Sequence, residues 1–292
     1  VRGTLKRTKR ILATSLLTLI IWLGILGLSL HSIVLLIAFL LLTPIFVPFI
    51  IAIASLLISV PALFADKYIR HKATRYFSQH YKNAKVIAIT GSYGKTTTKY
   101  LLYEILKHTY NTHIIPKNIN TSLGIANHIL KNKIPRQCEI LIVEMGAYVH
   151  GNIATSMNIT PPHYSVLTVL GDQHMERFGS FKKLVNAKYE ICYSTAQPHT
   201  VITTESVSKI LQEHMLELRD LVTIPDKGNI SDIERLSEAT ATLLFVPERF
   251  ISHAIATFTP PERRNQEYIQ SGVTILDNSY NLSPQTSLAI IS

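Results

Sequence analysis

Carboxylates are nearly absent from the first 85 residues: Asp66 stands alone there against eleven Lys/Arg. Residues 86–292 hold eighteen charges of each sign, so the net charge of +10 belongs to the N-terminal part and the rest of the chain is neutral. That distribution argues against a nucleic-acid-binding surface, which would carry its excess on the folded domain. Cysteine is scarce too. Cys138 and Cys192 are the only two, far apart and without metal-ligand spacing, which excludes a disulfide framework and a zinc site and suits a reducing compartment.

Charge of either sign is missing from two long stretches, residues 11–30 and Ile33–Ala65. The first is about 20 residues, enough to cross roughly 30 Å of hydrocarbon as a helix. The second is longer and contains Pro44, Pro48 and Pro61, so it is expected to cross with a tilt or a proline kink. Arg2, Lys6, Arg7, Lys9 and Arg10 precede the first run, and Lys67, Arg70, Lys72 and Arg75 follow the second. Basic residues at both outer ends predict a two-helix hairpin over residues 1–65 with both ends cytoplasmic. A cleaved leader is the other reading of residues 1–30, although no small-residue cleavage site follows it. Residues 66–84 form a basic juxtamembrane segment in which Ile69, Ala73, Tyr76, Phe77 and Tyr81 fall near one helical face. Such a face suits either a helix lying on lipid headgroups or a linker helix packed on the next domain.

Lys85–Thr90 is a short β-branched run, and the apolar residues between Lys95 and His108 recur as in a helix packed on a sheet. The turn between them, Gly91-Ser92-Tyr93-Gly94-Lys95-Thr96, therefore joins a strand to a helix N-terminus. Such a turn turns backbone N–H groups and the positive helix end toward an anion, and glycine lets the backbone come close. Lys95 would add a mobile charge for the β- and γ-phosphates of a nucleotide, and the Thr96 hydroxyl could hold Mg²⁺. The long form of this loop has glycine five residues before Gly94, where this chain has Ile89, so the loop is a shortened one. Glu144 closes the β-run "CEILIVEMG" and would emerge at a strand's C-terminal end, where open α/β sheets bind ligands. It would either hold Mg²⁺ beside Thr96 or face solvent. His174 follows a further β-run, "YSVLTVLGDQH", and a lone histidine in that place is more often structural than a ligand. Lys188 lies among Leu184, Ile191 and Cys192 in a helix, which suggests partial burial.

Five ordered blocks resemble the Mur ligases, the ATP-dependent amino-acid and peptide ligases of cell-wall synthesis. They are "ITGSYGKTTTK", "KNINTSLG", "VEMGAYVHGNI", "GDQHMERFGSFKKLVNAKYEI" and "LDNSYNLSP", spread over residues 85–292. Within that family the E-M-G, H-x-E-x-F-G-S and S-Y-N motifs are most similar to the branch that adds D-alanyl-D-alanine to a muramoyl tripeptide. The resemblance implies an α/β domain with a mostly parallel sheet flanked by helices, spanning residues 85–260, with a hinge and the start of a C-terminal domain at 261–292. It implies ATP and Mg²⁺, with Gly91, Ser92, Tyr93, Gly94, Lys95, Thr96 and Thr97 around the phosphates. Thr96, Glu144, His174 and Lys188 would serve the metal ions, His174 at a second ion and Lys188 as a carbamate formed with CO₂. Arg264 and Asp277 would meet the nucleotide near the hinge, and Asn281 would face the reacting groups.

Two departures accompany the likeness. The hairpin stands where the family's N-terminal domain grips the UDP-sugar, and the family's H-N-x-x-N adenine motif is reduced to "KGNISD", leaving Asn229 as the candidate. The sequence also runs only a few residues past the S-Y-N block, so most of a C-terminal domain lies outside it. The implied reaction is ATP-dependent amide formation between a muramoyl-peptide-type acyl substrate and an amino-acid or dipeptide amine, at the cytoplasmic membrane. Two other classes suit the same residues: a related ligase acting on a lipid-linked muropeptide or a polyglutamate, and a non-catalytic nucleotide-binding membrane module.

Overall fold

The computed structural model describes residues 9–116, 119–172, 175–193, 198–214, 216, 220–226, 229–262, 266–270 and 273–277. The chain divides into two compact units, residues 1–69 and 70–292. In the first, α1 (Lys9–Ser29) is followed after a short turn by α2 (Ile33–His80). The two helices meet near the turn through Trp22 and Phe39, with ring centroids 5.5 Å apart, and at the far end through an Arg10–Asp66 ion pair of 2.7 Å. Most of their apolar side chains are exposed, among them Leu16, Leu28, Leu41, Phe49 and Phe64. Both helices are long and apolar enough to cross a membrane.

α2 is a single helix of 48 residues that keeps Pro44, Pro48 and Pro61 in its interior and runs on past Ala65 through the basic segment. Each proline removes one backbone hydrogen bond, but nothing between Ala65 and His80 supplies a stop: the segment contains neither glycine nor proline nor asparagine. Of the two readings of its apolar face, the structure adopts packing on the following domain. Ala73, Phe77 and Tyr81 are buried, the Tyr81 hydroxyl donates to the Ile134 carbonyl at 2.7 Å, and the Tyr76 hydroxyl donates to Asn132 Oδ1 at 2.8 Å. Arg136 donates to Tyr76 from the other side.

The second unit is an α/β domain. Its six strands are β1 (Lys85–Thr90), β2 (Thr112–Ile114), β3 (Ile140–Glu144), β4 (Tyr164–Leu167), β5 (Thr200–Thr204) and β6 (Leu221–Ile224). They pair in the order β2-β3-β1-β4-β5-β6, and every pairing is parallel. Parallel strands need crossover helices, and α3 (Lys95–Leu106), α4 (Ser122–Leu130), α5 (Asn152–Met157), α6 (Met175–Phe178), α7 (Phe181–Tyr189) and α8 (Glu205–Glu213) provide them. Next come α9 (Asn229–Leu243), α10 (Glu248–Thr257) and an antiparallel pair, β7 (Gln266–Gln270) with β8 (Val273–Asp277). The central strands are buried on both faces, which explains why β1 and β3 read as continuous apolar runs without alternation. Ile87 and Ile89 from β1, Leu102 and Ile105 from α3, and Leu236 from α9 share one core. Truncating any of them to alanine would cost about 2–5 kcal/mol.

The chain leaves β1 toward the β2 edge, returns to β3 beside β1, and then crosses to β4 on the other side of β1. Strand order therefore reverses around β1. The carboxyl ends of β1, β3 and β4 lie side by side at this reversal, the place where open α/β sheets bind ligands.

Candidate functional site

Three chain segments meet beyond these strand ends. The loop after β1 is held open by its glycines: Gly91 has φ +149° and Gly94 φ +82°, conformations in which a side chain is strained. At Gly91 space is also lacking, because a Cβ would lie 1.9 Å from Thr168 Oγ1. Thr168, just past β4, donates its hydroxyl to the Tyr93 carbonyl. Ser92 is used in the same way: its N–H donates to the Val169 carbonyl at 2.6 Å, and its hydroxyl donates to the Gly171 carbonyl at 2.8 Å while accepting from the Gly171 N–H at 3.0 Å. The β4 loop thus fixes the shape of the β1 loop. Helix α3 then starts at Gly94 with no side chain capping it, so its first turn, Lys95 to Thr97, faces the loop with the positive end of the helix dipole.

Lys95 Nζ bends back over the loop and donates to the carbonyls of Gly91 and Ser92, at 2.8 and 2.9 Å. Lys188, on α7, reaches the same place from 97 residues away, its Nζ donating to the Gly91 carbonyl at 2.8 Å. Lys188 is 2% exposed. Burial, reinforced by the Lys95 charge, holds its ammonium well below the usual lysine range.

The strand-end carboxylate lies beside the helix start. Glu144 is buried, and its Oε2 accepts from the Thr96 hydroxyl at 2.9 Å and from Lys99 Nζ at 3.2 Å. Its Oε1 has the Asn120 amide at 3.5 Å. Thr96 and Glu144, 48 residues apart, are therefore adjacent, and a hydroxyl with a carboxylate is a hard-oxygen donor pair of the kind Mg²⁺ takes together with phosphate oxygens. Among the described residues no cluster of three or more His, Cys, Asp and Glu is present. A magnesium site completed by a polyphosphate does not need one.

Lys99, Asn120 and Thr168 were not singled out from the sequence. For Lys99 a signal was present: it lies four residues after Lys95 and three before Leu102, inside the stripe of α3 whose other members are buried. Asn229 opens α9, and the Ile233 side chain one turn later is 3.2 Å from where a Cβ on Gly94 would lie. Asp277 ends β8 and is half-buried. His174, Arg264 and Asn281 lie outside the described residues.

A parallel α/β sheet with a glycine-rich loop, lysine and threonine at the strand-to-helix turn, and a carboxylate at the end of the adjacent strand is the architecture of the phosphate-loop class. The family profile of the Mur ligase middle domain matches residues 89–257, more than half of the chain, and the chain belongs to the Mur ligase family. It is 36% identical over 244 residues to the UDP-N-acetylmuramoyl-tripeptide--D-alanyl-D-alanine ligase of Mycobacterium bovis, covering 70% of this chain and 47% of that protein. To the enzyme of the same name from Bacillus subtilis it is 36% identical over 107 residues, 37% of this chain and 23% of the relative. The chain thus spans half or less of the length of these curated relatives. Among solved structures, a crystal structure of MurF from Acinetobacter baumannii superposes with a TM-score of 0.67 at 20% identity, covering 77% of this chain and 56% of that one. MurF ligase from Thermotoga maritima in complex with ADP superposes at 0.66 and 24% identity, covering 77% and 60%. At these identities the superpositions establish the shared fold.

Proposed function

We propose that this chain is the ATP-binding part of a membrane-anchored ligase that forms an amide bond in peptidoglycan precursor synthesis, joining D-alanyl-D-alanine to a muramoyl peptide. The observation that carries the reading is the meeting of Thr96 with Glu144 beside the Lys95 loop, which gives one place for a polyphosphate and its cation. The 36% identity to the Mycobacterium bovis ligase supports the choice of substrates. In the reaction a substrate carboxylate oxygen attacks the γ-phosphorus and ADP leaves. The amine nitrogen then attacks the acyl carbon of the resulting acyl phosphate, inorganic phosphate departs, and the nitrogen gives up a proton.

Little bond-making falls to the protein in the first step, so its share is positioning and charge stabilisation. Lys95 turns from the loop carbonyls to the β- and γ-phosphates, while the loop and the start of α3 seat them. Thr96 and Glu144 would hold Mg²⁺, whose charge would offset that developing on the phosphate oxygens. His174 would serve a second ion. Lys188, whose burial favours the neutral amine, reacts through its nitrogen with CO₂, loses a proton and becomes a carbamate that supports the metal site. By the family resemblance Asn229, Arg264 and Asp277 would contact the nucleotide, and Asn281 would face the reacting groups. The α1–α2 hairpin anchors the protein, and the domain that follows works on cytoplasmic ATP.

The test is equilibrium binding of a fluorescent ATP analogue to the detergent-solubilised chain, wild type against Lys95→Ala, with far-UV circular dichroism as the check on folding. Binding that depends on Mg²⁺ and is lost in the variant is expected. Equal affinity in a folded variant would refute the reading of the loop.

A further inference from the structure

Glu144 is the carboxylate proposed to hold the cation, yet its charge is already matched. Lys99 is completely buried, its Nζ lies 3.2 Å from Glu144 Oε2, and the same oxygen accepts the Thr96 hydroxyl. A leucine at position 99 would simply extend the buried stripe of Leu102 and Leu106. An ammonium there carries a desolvation cost that a carboxylate partner is needed to offset. Lys95 donates to the carbonyls of the adjoining loop. The carboxylate as folded is therefore already neutralised by a buried ammonium.

A divalent cation arriving alone meets this ammonium. At the few-ångström separations involved, like charges repel strongly even at an effective dielectric constant of about 20. A nucleoside triphosphate arriving with the cation reverses the balance, because its negative charges offset those of the ion and the lysine.

We infer that Lys99 is a positioning residue that acts as a built-in counter-ion to Glu144, so that the site takes up a divalent cation only together with a nucleoside polyphosphate. The inference rests on the proposed ATP-ligase reading and adds an order of events to it. Because Lys99 acts through Glu144, its removal should free the carboxylate for a bare ion.

The experiment is a Mn²⁺ titration of the full chain in detergent, followed by the electron paramagnetic resonance signal of free Mn²⁺, with and without a non-hydrolysable ATP analogue. The wild type is expected to bind Mn²⁺ at least tenfold more weakly without the analogue than with it. Lys99→Met, which keeps most of the side chain's length and removes its charge, is expected to bind Mn²⁺ alone at least tenfold more tightly than the wild type. The double variant Lys99→Met/Glu144→Gln should lose that gain, since the effect runs through the carboxylate. A merely structural lysine would lower thermal stability without tightening metal binding. If Lys99→Met binds bare Mn²⁺ no more tightly than the wild type, the inference is overturned. Should the single variant not fold, the wild type decides: Mn²⁺ bound equally well with and without the analogue overturns it. Failure of the ATP reading shows separately, as no binding of the analogue under any condition.

Discussion

Replacing Gly91 by alanine tests whether the phosphate-loop shape is set from across the sheet. The new Cβ would lie 1.9 Å from Thr168 Oγ1 and 3.1 Å from both Thr168 Cβ and the Val169 nitrogen. Thr168 is fully buried and its hydroxyl is engaged with the Tyr93 carbonyl, so it has no open space to turn into and the β4 end must shift. Overpacking of this kind costs about 1–3 kcal/mol, and a side chain at φ +149° adds about 1–3 kcal/mol of backbone strain. The two together predict about 2–6 kcal/mol of destabilisation, or roughly 4–24 °C in the melting temperature of a domain of this size. They also predict at least tenfold weaker binding of the ATP analogue, because the loop carbonyls and N–H groups move with the clash. The double variant Gly91→Ala/Thr168→Ala removes Oγ1 but leaves φ unchanged. It should therefore recover the overpacking part alone, with a coupling of about 1–3 kcal/mol in a double-mutant cycle. Urea unfolding followed by tyrosine fluorescence measures all four proteins. If Gly91→Ala lies within about 0.5 kcal/mol of the wild type, the range of an ordinary surface change, or the cycle shows no coupling, the steric argument is wrong.

Two further outcomes follow from other parts of the chain. His113 and His128 face each other through their Nε2 atoms at 3.3 Å, and burial lowers both, His128 to about 4. The unfolded imidazole takes its proton near pH 6.5 while the folded one resists it until about 4, so stability should fall as pH drops through that window. His128→Gln should flatten the urea midpoint against pH, leaving a smaller slope from His163 and His199, which burial also lowers; an unchanged slope would remove the pair from the account. For topology, a membrane-impermeant thiol reagent applied to intact cells should reach a cysteine placed at His31 and miss one placed at the exposed Lys107, with labelling of Lys107→Cys ruling out a cytoplasmic domain. Background should be low, since burial pushes the Cys138 and Cys192 thiols up to about 11 and 12, where thiolate is scarce at neutral pH.

Much of this molecule is written in short-range patterns. The uncharged runs mark the two apolar helices because burying or exposing twenty side chains in a row is a property of the segment itself. Lys85–Thr90, the glycine turn and the helix from Lys95 are legible for the same reason: a β-branched run, residues able to adopt positive φ, and helical periodicity act within a few positions of one another. Glu144 could be placed at a strand end because β3 is a run of five buried residues that stops there. The continuation of α2 to His80 was harder to read, since helix ends are set by stop signals and the segment has none.

What the tertiary structure alone decided are the partners. Thr96 touches Glu144 across 48 positions, Lys188 reaches Gly91 across 97, and Thr168 fills the space that Gly91 leaves empty across 77. Nothing local to any of these residues encodes the other, because the contacts exist only once β3 and β4 have paired on either side of β1. Lys99 shows the boundary most clearly. The sequence places a lysine in a buried stripe, which is costly wherever it occurs, but only the packed sheet shows that the carboxylate at the end of the neighbouring strand receives its charge.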